Sequence, residues 1–464
     1  MHIEVWYSCK ITNKKRIDDM QYFTMTYLPD GRISSKYITS TANIEGSTVT
    51  TTKTMTYSYN TKHSPYQVVT TDFSNNTITP VISTATYTWS ANGNLTLDAH
   101  NHTNTTFSWD EENRLTNYVS STTCGYYLYD AGGERYYKCS GMFYYFVWNG
   151  HGTSYYAYSS PVLYASQYLV VSANEYTKHY YAGNERIASR IGEGRFPALN
   201  SHCVANSLLA AKKTAANANL PSTHYASNSF TWFHTLTDNT AAKAPIYWTH
   251  GDHLGSTAWA TDTAGAGVQH FRYLPFGEPL YSKKTGTFSS RYTFSGKERD
   301  SESGLNYFGA RYYNSDLSLW ISVDPLADKY PNLSPYVYCA DNPVRLVDEN
   351  GREVVNPYTA KVAETKNVIS KIKQMMDEGN CDVRLAKGAL RTQKRMLREY
   401  EKLERNANFA IAALKENGQF DILNNLKDEY GNTIDVYITY NNNLPSTRVI
   451  YMLMCCMNAT KMGI

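Results

Sequence analysis

The sequence predicts a mainly β protein: a curved antiparallel sheet of hairpin repeats, followed by a small α+β unit at the C-terminal end. Composition, a fixed aromatic spacing and an abrupt change of texture carry that expectation. Tyrosine is the outlier, with 41 Tyr against 15 Phe and 8 Trp, while charged residues make up only 18% of the chain. Aromatic and β-branched residues suit pleated, half-buried surfaces. A phenol buries area yet keeps a polar tip that tolerates water. Aromatic pairs then recur every 20 residues over 87–129. After Arg352 the Tyr- and Thr-rich texture gives way to Lys, Glu, Ala and Leu.

A chain of 464 residues exceeds what one core usually supports, so at least two units are expected. The net charge of +3 is too small to argue for a nucleic-acid partner. The eight cysteines form no CxxC pair and keep no metal-ligand rhythm with histidine, so they read as free or partly buried thiols. No apolar run reaches the roughly 18 residues of a membrane span. Met1-His-Ile-Glu-Val-Trp-Tyr has neither the basic start nor the apolar stretch of a signal peptide. The chain reads as starting inside a domain, the C-terminal part of a longer protein.

The first element is the repeat region, residues 1–190. Trp89, Trp109 and Tyr129 lie 20 apart, and Tyr87, Phe107 and Tyr127 repeat that phase two positions earlier. Gly93, Asn113 and Gly133 follow four residues after the first series, and Leu95, Leu115 and Arg135 six after. Degenerate copies read Tyr27-Leu-Pro-Asp-Gly31-Arg-Ile33, Tyr57-Ser-Tyr59-Asn60 and Tyr180-Tyr181-Ala-Gly183. Residues i and i+2 share a sheet face, so each aromatic pair points one way. Asp, Asn and Gly supply the turn because they tolerate left-handed backbone. One hairpin is marginal alone, so neighbours must stack edge to edge, with Trp89, Trp109 and Tyr129 at equivalent positions. The spacing resembles the tyrosine–aspartate (YD) repeat of rearrangement-hotspot (RHS) and teneurin-type proteins. A complete shell in that family needs many more repeats, so an unpaired strand edge is expected at the N-terminal end.

Residues 191–244 lose the pattern and read as an insertion or long loop. Leu208-Leu-Ala-Ala-Lys-Lys-Thr-Ala would make a short helix there, and Phe230-Thr-Trp232-Phe233 would dock the segment back on the sheet.

Residues 245–352 are dense in motifs. They run from Tyr247-Trp-Thr-His250-Gly-Asp-His253-Leu-Gly-Ser256-Thr through Tyr273-Leu-Pro-Phe-Gly277-Glu-Pro and Phe294-Ser-Gly-Lys297-Glu. Gly309-Ala-Arg311-Tyr-Tyr313, Ser322-Val-Asp324-Pro325, Asn342-Pro343 and Asp348-Glu-Asn-Gly351 follow. Many of these need no chemistry. Gly251-Asp252-His253 and Pro275-Phe-Gly277-Glu-Pro279 are turn signals, and Arg299-Asp300 with Glu302-Ser-Gly304-Leu reads as a polar turn. No Cys or carboxylate cluster joins His250 and His253, so structural or hydrogen-bonding roles are expected for both. The order of motifs resembles the RHS-repeat-associated core domain, which in that family plugs a hollow β-shell and cuts off a variable C-terminal toxin.

The resemblance implies a candidate site. In the RHS family, and in the C component of insecticidal ABC toxin complexes, this region acts as an aspartyl autoprotease. The arginine of the Ala-Arg-Tyr-Tyr motif falls on Arg311, the aspartate of the Asp-Pro motif on Asp324, and the aspartate near the cut on Asp348. Two close carboxylates cannot both ionise, so one can serve as acid and the other as base. A guanidinium can hold one ionised and stabilise developing negative charge. The expected cut lies at Gly351, Arg352 and Glu353, between Gly351 and Val354. Spacing alone also fits a plainer arrangement, with Asp324-Pro325 a turn, Asp348 a turn cap and Arg311 the ion partner of either. The family's Asp-Pro-x-Gly-Leu junction reads Asp348-Glu349-Asn350-Gly351-Arg352 here, lacking the proline and the leucine.

The last element, residues 353–464, is a variable α+β unit. Apolar residues keep helical spacing over Val362–Met376 and again over Asp382–Asn417, with Leu390, Leu397, Tyr400 and Leu403 on one face and Gly418 as a stop. Phe420-Asp-Ile-Leu and Thr433–Tyr440 read as strands, with Tyr430-Gly-Asn432 as a turn. Arg391, Lys394, Arg395, Arg398, Lys402 and Arg405 interleave with Glu399, Glu401 and Glu404, the pattern of a solvated helix face. In RHS proteins this position carries a polymorphic toxin. The last histidine is His270, so the tail holds no His-Glu-x-x-His and no His-based nuclease site. Its Met/Cys-rich end reads as truncated or frameshifted.

The expected function is that of a secreted or surface-associated RHS shell fragment. It would enclose, and self-cleave to release, its own C-terminal domain in bacterial competition, with an immunity protein and a secretion apparatus as further partners. A surface binding or adhesion protein that is never cut, and an enzymatic toxin in residues 353–464, are the alternatives. No cofactor and no metal are expected.

Overall fold

The computed structural model describes residues 2–10, 17–28, 30–44, 47–60, 63–73, 79–100, 103–148, 151–172, 175–182, 185–193, 244–331, 333–379, 382–417, 435–440 and 452–456. These are mainly β, as composition and repeat phase predict. The helix and docking segment expected at 208–215 and 230–233, the strand at 420–423 and the turn at 430–432 lie outside the described residues. The chain divides into two units. One comprises residues 1–83, 274–278 and 315–464; the other comprises 84–273 and 279–314.

The second unit shows most clearly why the repeat folds as it does. Strands Val81–Trp89 and Leu95–His100, Thr103–Trp109 and Leu115–Val119, and Thr123–Tyr129 and Arg135–Trp148 form successive antiparallel hairpins. Each turn closes on a left-handed residue: Gly93 at φ 79°, Asn113 at 61° and Gly133 at 85°. The Asp110 carboxylate accepts the amides of Glu112 and Arg114, and Asp130 does the same for Gly132 and Glu134. Asp252 and Asp262 close two further turns identically, at Leu254 and Ser256 and at Ala264 and Ala266. The repeat turn therefore continues into the motif-dense region, where no aromatic spacing marks it.

Tyr87, Phe107 and Tyr127 are buried on one face, while Trp89, Trp109 and Tyr129 are half-buried. The latter tie neighbouring hairpins together. Trp109 Nε1 donates to the Leu95 carbonyl at 2.6 Å, and the Tyr129 hydroxyl to the Leu115 carbonyl at 2.7 Å. The same contact recurs in the first unit, where the Tyr59 hydroxyl donates to the Ile33 carbonyl at 3.0 Å. Each aromatic thus satisfies a backbone acceptor on the preceding hairpin, which a marginal two-stranded ribbon cannot do for itself.

Leu95 and Leu115 are buried, and the third residue of that phase, Arg135, is buried too. A guanidinium in a leucine's place needs counter-charges. Arg135 Nη1 lies 2.6 Å from Asp300 Oδ2, and its Nη2 lies 3.1 Å from Glu298 Oε2. Lys138 Nζ meets Asp300 at 2.7 Å and Glu298 at 3.1 Å. Glu302 completes the cluster, with the Tyr127 hydroxyl donating to it at 2.9 Å. Glu298, Asp300 and Glu302 are thus core anchors, where sequence reading takes Arg299-Asp300 and Glu302-Ser-Gly304-Leu for a polar turn. The turn itself forms, with the Gly304 amide donating to the Asp300 carbonyl at 2.7 Å. Its carboxylates face inward because two buried cations require them.

The first unit pairs Ile17–Tyr27, Ile33–Ile44, Ser47–Tyr59 and Pro65–Phe73 in antiparallel succession. Strand His2–Lys10 pairs with Ile17–Tyr27 on one side. On the other, Tyr7–Cys9 pairs in parallel with Ile438–Tyr440 of the tail strand Asp435–Tyr440. The open N-terminal edge expected from the sequence is therefore covered over that stretch. Turn 274–278 forms as its sequence predicts, with Gly277 at φ 88°, but Phe276 and Glu278 are buried rather than solvated. Phe276 stacks on Phe23 with ring centroids 6.1 Å apart, and Glu278 pairs with buried Lys36 at 2.6 Å.

Helix α1 runs from Pro357 to Asp377, capped by the Asn356 side chain on the Tyr358 amide, and helix α2 from Val383 to Asn417. Asp382 caps α2 by accepting the amides of Arg384 and Leu385. Leu390, Leu397, Tyr400 and Leu403 share a half-buried face, while the six basic residues of the sequence pattern are exposed. No helix among the described residues is long and apolar enough to cross a membrane.

Arg135→Ala leaves three buried carboxylates with Lys138 as the remaining cation of the cluster, so chemical denaturation should show a loss of about 3–5 kcal/mol in the second unit. A loss within measurement error would contradict the anchor. A pH dependence follows from His179, buried against Ser189 Oγ at 2.9 Å and edge-on to the Tyr292 ring. Burial, helped by the Arg186 charge, pushes its pKa from 6.5 down to about 3. The unfolded chain then binds more protons than the folded one, so this contribution is lost as pH falls from 6.5 towards 3. Wild type should lose stability relative to His179→Gln across that window, and parallel curves would refute this.

Candidate active site

The junction is a short hairpin in the first unit. Val347–Asp348 pairs with Val354–Val355, leaving residues 349–353 as the connection. Asp348 is buried, and its Oδ1 accepts the amides of Asn350, Gly351 and Arg352 at 3.2, 2.6 and 3.1 Å. Asn350 Oδ1 accepts the amides of Arg352 and Glu353 at 3.0 and 3.3 Å. Gly351 is buried at φ 73°, a conformation in which a side chain would be strained. Arg352 and Glu353 are exposed. Asp348 and Asn350 thus bind the amides of the residues at which the cut is expected.

Asp324 is half-buried and opens the following turn. Its Oδ1 accepts the Leu326 amide at 2.7 Å, its carbonyl the Ala327 amide at 3.0 Å, and its own amide donates to the Pro335 carbonyl at 3.2 Å. Asp324 and Val354 line one small cavity, together with Tyr330, Ser334 and Ala340. Its volume of about 20 Å³ accommodates one water molecule. Tyr330 reports on the surroundings. Burial raises its pKa first, then the negative charges of Glu353, Asp324 and Asp348 raise it further. Asp324, Asp348 and the junction residue Glu353 thus each act electrostatically on the Tyr330 phenol. Lys329 Nζ lies 3.6 Å from Glu353 Oε1, an exposed pair of little energetic weight.

Arg311 belongs to the second unit, where it is buried and its carbonyl accepts the Phe308 amide at 3.0 Å. His250 Nε2 lies 3.0 Å from Thr261 Oγ1, and burial lowers its pKa.

Sequence reading missed Asp341. It is buried in the first unit, and burial, then the charge of Asp30, raises its pKa well above the usual carboxylate range. Cys339, Ala340 and Asp341 take left-handed φ values of 48°, 51° and 59° in succession. Such backbone costs on the order of 1–3 kcal/mol per residue. The only local signal is the adjacent Asn342-Pro343, which marks a turn without revealing burial.

No protein-family model matches the chain. Over 107 residues it is 35% identical to salivary gland surface protein 1 of Aedes aegypti, covering 22% of this chain and 3% of that protein. Over 109 residues it is 32% identical to toxin subunit YenC2 of Yersinia entomophaga, covering 23% of this chain and 11% of that subunit. Among solved structures it is similar to TcdB2-TccC3 without its hypervariable C-terminal region. The identity is 16% and the TM-score 0.43, covering 71% of this chain and 15% of the other. The chain thus spans only a small fraction of the relatives it matches.

Asp348→Ala removes the acceptor for three junction amides. Limited digestion should then cut after Arg352 at least several-fold faster, while denatured samples of both proteins are cut alike. Equal rates in the folded proteins would show that Asp348 does not hold the turn.

Proposed function

We propose that this chain is an RHS-type carrier segment that cuts itself between Gly351 and Val354 and so frees the unit that begins with α1. The observation that carries this reading is the sharing of one water-sized cavity by Asp324 and Val354, beside a turn whose amides are held by Asp348. The motif order of residues 247–352 supports it. So does the similarity to a toxin subunit over 109 residues, close in length to that motif-bearing stretch.

In this mechanism Asp324 takes a proton from water in the cavity, and the water oxygen attacks a junction carbonyl carbon. The carbonyl electron pair moves onto oxygen, then returns as the C–N bond breaks. The proton held by Asp324 passes to the leaving nitrogen, giving one new carboxyl and one new amino terminus. Asp348 positions the peptide by fixing three of its amides. The role given to Arg311, stabilising the negative charge, rests on its motif alone. A tethered substrate offers a high effective concentration, so modest acid–base catalysis suffices. The released unit would act as an effector in bacterial competition, with an immunity protein and a secretion apparatus as partners.

A second reading has its own support. The similarity to a surface protein, at 35% identity over 107 residues, fits an adhesion or binding module that is never cut.

Intact-mass measurement of purified protein during incubation separates the two. Wild type should convert to two fragments whose boundary lies within 351–354. Asp324→Asn should slow this by about 100-fold or more, the usual worth of an acid–base group. Wild type that stays full length favours the surface module. Cleavage that survives in Asp324→Asn assigns the cut to an outside protease acting at exposed Arg352.

A further inference from the structure

A second reactive arrangement lies in the first unit, at the turn formed by residues 315–318. The Ser318 amide donates to the Ser315 carbonyl at 3.1 Å, and Ser318 takes φ 58°, a left-handed conformation that favours glycine. Lys36 Nζ donates to Ser318 Oγ at 2.9 Å, and the Ser318 hydroxyl donates to the Ser315 carbonyl at 3.5 Å. The carbonyl of the preceding residue, Leu317, accepts the Tyr57 hydroxyl at 3.0 Å. Lys36 Nζ also meets Glu278 at 2.6 Å and the Asp316 carbonyl at 3.2 Å. Lys36 is fully buried, and Tyr57, Leu317 and Ser318 are at most 5% exposed.

We propose that Ser318 attacks the carbonyl carbon of Leu317 and converts the Leu317–Ser318 peptide into an ester, making this turn a self-processing site. The parts needed for an N-to-O acyl shift meet here: a hydroxyl beside an amine, a donor already on the carbonyl oxygen, and a strained residue after the bond. Burial lowers the Lys36 pKa and raises that of Glu278, so both shifts favour the neutral amine that can take a proton. With Lys36 neutral, the Ser318 hydroxyl turns from the Ser315 carbonyl to Lys36 Nζ and passes it the proton as Oγ bonds to the Leu317 carbon. The carbonyl electron pair moves onto oxygen and is held by the Tyr57 hydroxyl. On its return the C–N bond breaks, and Lys36 gives its proton to the Ser318 nitrogen. The product is an isomer of the starting chain. Water added across the ester would then yield chains 1–317 and 318–464. Exclusion of water from the site preserves the ester while the unit stays folded. This inference is independent of cleavage at the junction, which divides the chain elsewhere.

The test is hydroxylamine treatment of purified full-length protein under denaturing conditions, read by intact mass and N-terminal sequencing. The expected products are residues 1–317 bearing a C-terminal hydroxamate and residues 318–464 starting at Ser318. Ser318→Gly suits the left-handed turn and removes the nucleophile, so it should fold and give neither product. Ser318→Cys should give both products with a thiol as well, through a thioester. Tyr57→Phe should lower the yield at a fixed time by up to about 100-fold. A full-length wild type after treatment, with no new amine at Ser318, would overturn the proposal and leave Lys36 as an anchor of the turn. The same fragments from Ser318→Gly would also overturn it.

Discussion

Buried charge is the constraint on which the rest of the second unit depends. Arg135 and Lys138 enter the core from one repeat strand and must be answered by Glu298, Asp300 and Glu302. Two cations facing three carboxylates leave one negative charge in excess. Burial together with Asp300 raises the Glu302 pKa, while Lys138 and Arg135 outweigh burial at Glu298 and hold it down to about 2. The segment supplying these carboxylates forms strands of only two or three residues, Glu298–Arg299, Asn306–Tyr307 and Tyr312–Asn314. So little ladder cannot hold it in place alone. The charges, with Tyr127, Tyr164, Tyr307 and Tyr312 hydrogen-bonded around them, fix it to the hairpins. In the first unit the buried contact of Lys36 with Glu278 holds turn 274–278 to the strands.

The same device explains what could be read from the sequence. The phase of Trp89, Trp109 and Tyr129 specifies hairpins with left-handed turns at residues 93, 113 and 133, because period and turn chemistry are local properties. The tail helices were legible for the same reason, although α1 begins at Pro357, ahead of the periodic run, because Asn356 caps it. The inward turn of Glu298, Asp300 and Glu302 was not legible. Their cationic partners lie more than 150 residues away, and a run of polar residues reads as solvated until a buried cation is found opposite it. Arg135 was the available clue, a charge standing where Leu95 and Leu115 stand.

The candidate site shows a similar division. The motifs locate Asp324 and Asp348, and both carboxylates prove to organise turns, as spacing alone allows. Turn capping and catalysis are compatible in a tethered reaction, since a carboxylate that fixes the junction amides also fixes the bond at which the cut is proposed. The cavity beside Val354, the influence of both aspartates on Tyr330, and the buried acid Asp341 needed the folded chain to be seen. Lys36 and Ser318 lie 282 residues apart in sequence, so no local pattern could have joined them.

A mixing experiment decides whether the cut is made within one chain. Isotopically heavy Asp324→Asn protein is incubated with light wild type, and both masses are followed over time and dilution. Self-cleavage requires that the light chain be cut at a rate independent of concentration while the heavy chain stays whole. Cutting of the heavy chain, or a light chain that remains intact throughout, would contradict it.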